Sequence, residues 1–450
     1  MGNVKYDVIV AGGGTAGFIA AAAAGRKGMR TLLIEQNGHL SGTLAMGIPL
    51  LGVFDGNGVQ VAKGLVEEFV QRLIVENGAV GHIHGARWSN KGHMLGDAFS
   101  LTPFDSEIAK YIAQEMVLES GADILLHTSI SGVEMSGNRV KSVGIINKSG
   151  SSTLDASVFI DATGDADVCA FAGAEMLQKT KVQNSSILFV MNRVDTAKLA
   201  AALEKGDHLN GWGWWHSRMV QGKKIDTDKE SYIHIAGHFK PWENDDSEVT
   251  FTAVSIRENE VCLNATRTVN VDAVNAVSLT AGEISERRNI QKLVEGLRKN
   301  IPGFEKAYVS KTSSIGIRES RTVVGDYLIS GDDVFNHQDF PDTVVRGAYP
   351  SDIHDPKGGR TQFIFINDGS SYGIPYRCFL PKGIEGLLVA GRSISSTQKA
   401  NGTVRLQGTV MAQGQAVGTA AALAVSKGVS PRNIDVEELR KDLLSQGAII

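Results

Sequence analysis

The chain has 450 residues, 42% of them hydrophobic and 21% charged, with a formal net charge of −4. That is an ordinary composition for a globular protein of two or three domains, long enough to bury a core without disulfide or metal staples. The slightly acidic balance leaves no footprint for nucleic acid or an anionic membrane, so a small-molecule partner is expected. Cys169, Cys262 and Cys378 stand far apart with no C-x-x-C pair, which argues against a disulfide framework and a redox-active dithiol. No run of about 18 apolar residues is free of polar interruption, as a membrane span would need. A strand that starts at Tyr6 leaves no room for a signal peptide, and a cytoplasmic location is expected.

Residues 5–35 read as a β-α-β unit whose first strand is almost continuously apolar, as a parallel strand covered on both faces should be. A glycine-rich loop follows over 38–58, then an amphipathic helix over 61–77 with Val61, Leu65, Phe69 and Leu73 on one face. Residues 79–103, which carry His82, His84 and His93 among glycines, read as an irregular excursion. A second helix is expected over 105–120. Short strands follow over 124–128, 130–135, 140–146 and 158–161, punctuated at Gly137-Asn138 and Ser149-Gly150. From about Ala174 the texture changes. Up to Gly373 the pattern is less regular, with Trp212, Trp214 and Trp215 (core or interface), a charged stretch over 243–248, and a helix over 284–299 striped by Ile290, Leu293, Val294 and Leu297. A further apolar strand ends at Ala390-Gly391-Arg392, and a small-residue helix runs over 404–427.

The strongest motif is Gly12-x-Gly14-x-x-Gly17, placed between the first strand and the first helix with Thr15 and Ala16 inside it. The first glycine permits the tight turn, the second a close approach of backbone to pyrophosphate, and the third tight helix–strand packing. The helix N-terminus then offers unpaired N–H groups and partial positive charge to phosphates. Glu35 ends the second strand, where a carboxylate accepts hydrogen bonds from ribose hydroxyls, with Gln36 beside it. Asp161-Ala162-Thr163-Gly164-Asp165, Ala390-Gly391-Arg392 and Val404-Arg405-Leu406 supply small residues and a second helix start, which points to a long cofactor and to FAD. A helix N-terminus beside Arg405 would favour charge at the N1/O2 edge of a reduced flavin by about 0.3–2 kcal/mol. The run from Gln413 to Gly418 extends the same small-residue pattern.

These blocks, with Ser41-Gly42-Thr43, Ile317-Arg318-Glu319-Ser320-Arg321 and residues 374–381, make the chain similar to the bacterial FAD-dependent oxidoreductase domain family, relatives of the glutathione-reductase-type flavoproteins. The resemblance covers most of the chain. It implies an α/β fold: a Rossmann-like FAD-binding domain with an inserted β-meander (1–173 and 374–430), a mixed α+β substrate domain (174–373) and a helical tail (431–450). It also implies FAD bound extended, with Ile130 against the adenine and Gly42, Thr43, Gly164, Gly391 and Arg405 along the pyrophosphate–flavin path. Ser41-Gly42 replaces a double glycine, and Gln398 replaces a histidine of the late loop.

For chemistry beyond the flavin, Asp352-Ile353-His354-Asp355 places an imidazole between carboxylates. It is either a base, typically contributing about 10²–10⁴-fold, or a structural histidine; no complete metal-ligand set is visible. Arg318 and Arg321 either fork onto an anion or make salt bridges with Glu319 or Asp326. His39 lies where some flavoproteins attach FAD covalently. With no second glycine triplet, a separate NAD(P)H domain is not expected, and the electron acceptor is left open, as is homo-oligomerisation. The expected activity is hydride transfer from a small polar alcohol or hydroxy acid, with flavin hydroxylation, ene-reduction and a non-catalytic electron-transfer subunit as alternatives.

Overall fold

The computed structural model describes residues 5–84, 100–179, 182–205, 210–214, 217–220, 223–226, 233–239, 249–354 and 362–450. His93, Trp215, Asp355 and the charged stretch 243–248 lie outside the described residues, as do the side chains of His84, Trp212 and Trp214.

Among the described residues a seven-stranded sheet carries the dinucleotide motif. Its parallel part runs, in spatial order, Asp123–Leu125, Thr31–Ile34, Tyr6–Ala11 and the second half of Gly150–Asp161, with Leu387–Val389 beyond. Val10 pairs with Leu33 on one side and Ile160 on the other, and Leu388 also pairs with Ile160. The first strand is therefore sandwiched, which accounts for its unbroken apolar run. The strand expected at 124–128 is an edge strand of this sheet and not part of the meander. The meander is Ser129–Ser136 and Arg139–Asn147 paired antiparallel onto the first half of Gly150–Asp161. That last strand begins well before 158, because its exposed half is polar and lacks an apolar signature.

The first helix, Thr15–Arg26, is buried along nearly its whole length between the sheet and the helix Gln407–Lys427. Alanine and glycine on both helices make that possible. A Cβ at Gly414 would stand 2.3 Å from the Ala16 carbonyl oxygen, and one at Gly418 would stand 2.3 Å from that of Ala20. The small residues of 413–418 therefore serve helix–helix contact and not contact with a cofactor. The helix expected from 404 is two helices, Gln398–Val404 and Gln407–Lys427, broken at Arg405 and Leu406.

A six-stranded antiparallel sheet, among the described residues, carries Phe189–Asn192, Glu260–Asn264 and Tyr308–Thr312. The helix Ala276–Asn300 packs on it through Ile290, Leu293, Val294 and Leu297, the expected stripe, and starts earlier than 284 behind an Asn275 cap. The excursion 79–103 contains two strands, His82–His84 and Ser100–Thr102, in a smaller sheet with Leu50–Leu51 and Ser217–Val220. Ile329, Val334, Val344 and Ile374 share the core of the first helix. The chain thus rejoins that core ahead of residue 374. The C-terminal helix is Val436–Ser445.

Candidate active site

One cavity of 540 Å³ runs from the end of the first two strands to the inner face of the six-stranded sheet. Its first end is made by backbone that admits no side chains. Gly12 sits at φ +94°, where a Cβ would be 2.5 Å from the Ala162 carbonyl oxygen; at Gly17 it would be 1.8 Å from the Gly12 carbonyl oxygen. Gly42, at φ +54°, brings its backbone against Gly14. Only glycine satisfies these positions without moving main chain. The first helix has Gly14 as its N-cap, with no side chain accepting its leading N–H groups, and Thr15 and Ala16 line the cavity. The helix Gln407–Lys427 likewise starts at Leu406 without a side-chain cap, and Leu406 and Gln407 line the same cavity. By contrast Asp105, Asn275 and Asp435 cap helices elsewhere. Two uncapped N-termini facing one cavity form a site suited to anionic groups.

Glu35 lines the same end, its carboxylate accepting from the Gly13 N–H at 2.7 Å and the Asn37 N–H at 2.8 Å. Gln36, Thr43, Ile130, Ala162, Thr163, Gly164, Gly391, Arg392 and Arg405 also line the cavity. Arg392 donates to Asp165 at 2.6 Å. Three residues singled out from sequence stand behind the wall. Gly17 packs on Gly12. Ser41 is buried, its N–H donating to the Gly13 carbonyl and its own carbonyl accepting from Thr15 Oγ1. Val404 is buried under Gln413, whose amide donates to its carbonyl at 2.7 Å. Side-chain-free backbone, uncapped helix starts and a carboxylate at the strand end fit an extended dinucleotide such as FAD.

The other end is lined by Met46, Ile48, Leu51, Ser186, Leu188, Asn264, the segment 314–318, Asp352 and, from the long helix, Leu279 and Glu283. Here the structure separates the catalytic candidates. Arg318 lines the cavity, its Nη1 donating to the Asn184 carbonyl at 2.7 Å and to Ser186 Oγ at 2.9 Å. Arg321 does not line the cavity but stands behind it, donating to Asp167 Oδ1 at 2.9 Å and the Asp165 carbonyl at 3.1 Å, both on lining residues. Asp352 lines the cavity, and His354 lies behind it, Nε2 3.5 Å from Asp352 Oδ2. Burial pushes the His354 imidazole down to about 3, helped by the Arg318 charge, so the ring is neutral. Burial alone would raise the Asp352 carboxyl, but Arg405 and His354 outweigh it and hold it at about 2. Arg405 Nη2 reaches Asp352 Oδ1 at 2.7 Å and Gln183 Oε1 at 3.1 Å. Arg377 pairs with Asp342 and lies over the Tyr327 ring, and it does not line the cavity. Gln398 donates to Glu319 at 3.0 Å.

Residues 183–186 (Gln-Asn-Ser-Ser) belong to no motif visible in the sequence. All four are almost fully buried, and they hold the backbone and side chains around Arg318 and Arg405. Four polar residues before an apolar strand resemble a surface loop, and nothing local marks them as interior.

The family model for FAD-dependent oxidoreductases matches residues 7–443. The chain belongs to that family. FAD is its cofactor, and it is an oxidoreductase. A digeranylgeranylglycerophospholipid reductase of Picrophilus torridus is 28% identical over 192 residues, 39% of this chain and 43% of that protein. Another from Methanoculleus marisnigri is 26% identical over 205 residues, 42% and 47% respectively. The match thus spans less than half the length of these curated relatives. Among solved structures, p-nitrophenol 4-monooxygenase of Pseudomonas putida superposes with a TM-score of 0.51 at 12% identity, covering 97% of this chain and 84% of that one. A flavin-dependent brominase gives 0.51 at 12%, covering 98% and 84%. These likenesses establish the flavoenzyme fold. Among the described residues no helix is long and apolar enough to cross a membrane.

Proposed function

We propose that this flavoenzyme reduces an unsaturated carbon of a small organic substrate with a largely apolar body, admitted at the Arg318 end of the cavity. The observation that carries the reading is the state of the acid–base groups there. The lining carboxylate, Asp352, is tied to Arg405 and held at about 2, and the neighbouring imidazole is neutral and set behind it. A carboxylate of such low proton affinity is a weak base toward an alcohol. Meanwhile Met46, Ile48, Leu51, Leu188, Ile315 and Ile317 give one stretch of the wall an apolar character suited to a carbon substrate. The bound flavin supplies hydride exchange with carbon. Around it, on this reading, Gly12, Gly14, Glu35 and Gln36 hold the ADP half, Thr43, Gly164, Gly391 and Arg392 line the middle, and Arg405 with Leu406 presents a helix start to the ring. The reductase names of the partial relatives are consistent with the direction. The working location we propose is the cytoplasm.

Oxidation of a small polar alcohol or hydroxy acid is the second reading, kept because Asp352 and His354 are adjacent. It requires His354 to reach substrate past Asp352. The two are separated anaerobically. Photoreduced holoenzyme is mixed with a panel of activated alkenes, and oxidised holoenzyme with alcohols and hydroxy acids, both followed by the flavin absorbance near its visible maximum. Reoxidation by an alkene supports the reductase; bleaching by an alcohol with no alkene response replaces it with the dehydrogenase.

A further inference from the structure

The Arg318 end of the cavity is backed by polar groups whose contacts are incomplete. Gln183 Nε2 and both side-chain polar atoms of Asn184 are buried without a hydrogen-bond partner among the described residues. Such orphans are uncommon in folded proteins, and these lie behind the cavity wall. Arg318 beside them is incompletely used. Its Nη1 spends both hydrogens on the Asn184 carbonyl and Ser186 Oγ. The Nε/Nη2 edge, the two parallel N–H groups that match a carboxylate or phosphate, has no partner among the described residues, and Arg318 lines the cavity.

Nor is the charge of Arg318 answered by an ion pair among the described residues. The charged groups that act on it are Arg405 and Arg267, which repel it, and Asp352 and Glu286, which attract it. Asp352 is already committed to Arg405. Glu286 is raised by burial and takes the Thr268 hydroxyl, which weakens it as a counter-charge. Burial, and after it the neighbouring Arg405, brings the Arg318 guanidinium down to about 9. Ser186 Oγ accepts from Arg318 and so keeps its own proton to donate, and it lines the same stretch of cavity.

We propose that the Nε/Nη2 edge of Arg318 and the Ser186 hydroxyl form an oxyanion subsite that takes the carboxylate or phosphate of the substrate, with the substrate's apolar body along Leu188, Ile315 and Ile317. The substrate is thereby an amphipathic organic anion. This rests on the reading that the Arg318 end of the cavity receives substrate, but it is read by binding and not by turnover.

The test titrates oxidised holoenzyme with benzoate, phenyl phosphate and the neutral benzamide, following the difference spectrum of the flavin. Either anion should bind at least about tenfold more tightly than benzamide, the scale of one charge-assisted hydrogen bond. The preferred anion names the source, carboxylate or phosphate. Arg318→Met should abolish the preference and Arg318→Lys should return part of it, with FAD content and circular dichroism unchanged. Equal binding of anion and amide, no spectral response to either anion, or a preference that survives Arg318→Met would overturn the subsite. If Arg318→Met loses its FAD, the anion-to-amide ratio in the native enzyme decides, and Ser186→Ala should lower that ratio severalfold. An intact anion preference with no alkene reduced would remove the reductase reading alone. Reduction of neutral alkenes without anion preference would remove the subsite alone.

Discussion

At the Gly12–Glu35 end of the cavity the contacts come from main chain and from side chains that are missing, whereas at the Arg318 end they come from charged side chains crowded together below the surface. The first end is held by geometry: the Cβ positions at Gly12 and Gly17 are occupied by carbonyl oxygens, and two helix starts are left without caps. The second is held by electrostatics, with Arg405, Asp352, His354 and Gln183 bonded into one network and Arg318 beside it. A dinucleotide is common to many proteins and can be bound by a fixed backbone shape. A substrate is particular, and the groups that select it have to be drawn from wherever the fold brings them.

The two ends should therefore fail differently. The largest effect is expected at the charged end. Asp352→Ala leaves the Arg405 guanidinium buried without its carboxylate, and removing one partner of a buried pair typically costs about 3–5 kcal/mol. Chemical denaturation of the holoenzyme should show that loss of stability. A loss under about 1 kcal/mol would mean the network is solvated and the contrast between the ends overstated. At the geometric end, Gly17→Ala forces a Cβ onto the Gly12 carbonyl, and overpacking of this kind costs about 1–3 kcal/mol. Its signature is different: purified protein should lose bound FAD, seen as a fall in the ratio of flavin to protein absorbance, while the distant six-stranded sheet keeps its circular dichroism. Glu35→Gln is milder. It substitutes an amide for a carboxylate that accepts from Gly13 and Asn37, and FAD affinity should fall by about 1.5 kcal/mol, roughly tenfold. Flavin fluorescence on dilution measures it. An unchanged affinity would remove Glu35 from the cofactor contacts.

The same contrast explains what could be read from sequence. Gly12, Gly14, Gly17 and Glu35 were legible because a backbone constraint dictates the residue type, and the spacing along one β-α-β unit is short. Arg318, Asp352 and Arg405 were legible only singly, since nothing along the chain says which of them shares a cavity. Arg318 and Arg321 are three residues apart, yet one lines the cavity and the other turns to Asp167. Residues 183–186 left no signal, because burial of a polar run depends on partners remote in the chain, such as Thr268, Arg318 and Arg405. Gly414 and Gly418 show the converse ambiguity: small residues suit a cofactor and a neighbouring helix equally, and here the helix Thr15–Arg26 takes them. The strands at 82–84 and 100–102 were hidden for a related reason. Their partners at 50–51 and 217–220 are remote, and a glycine-rich segment has no periodicity of its own.

The smallest effect is also the one that bears most directly on His354. Its imidazole is pushed down to about 3 when folded, against an ordinary value near 6.5. In the unfolded chain it takes up a proton as pH falls through 6.5, while in the folded protein it stays neutral until about 3. Acid therefore favours the unfolded chain over that window, and stability contributed by the neutral ring declines from pH 6.5 downward. Asp352 adds a second loss at lower pH: its carboxyl is held at about 2 when folded, so its stabilisation is present above the ordinary carboxylate range and disappears as pH falls toward 2. His354→Gln removes the first contribution and leaves the second. At pH 5.5, one unit below the ordinary histidine value, the native protein should have lost about 1.4 kcal/mol relative to neutral pH that the variant retains. Denaturation midpoints measured at pH 7.5 and 5.5 give the comparison directly. If both proteins lose stability in parallel, the imidazole is exposed enough to ionise in place, and His354 regains its claim as the base of an alcohol oxidation.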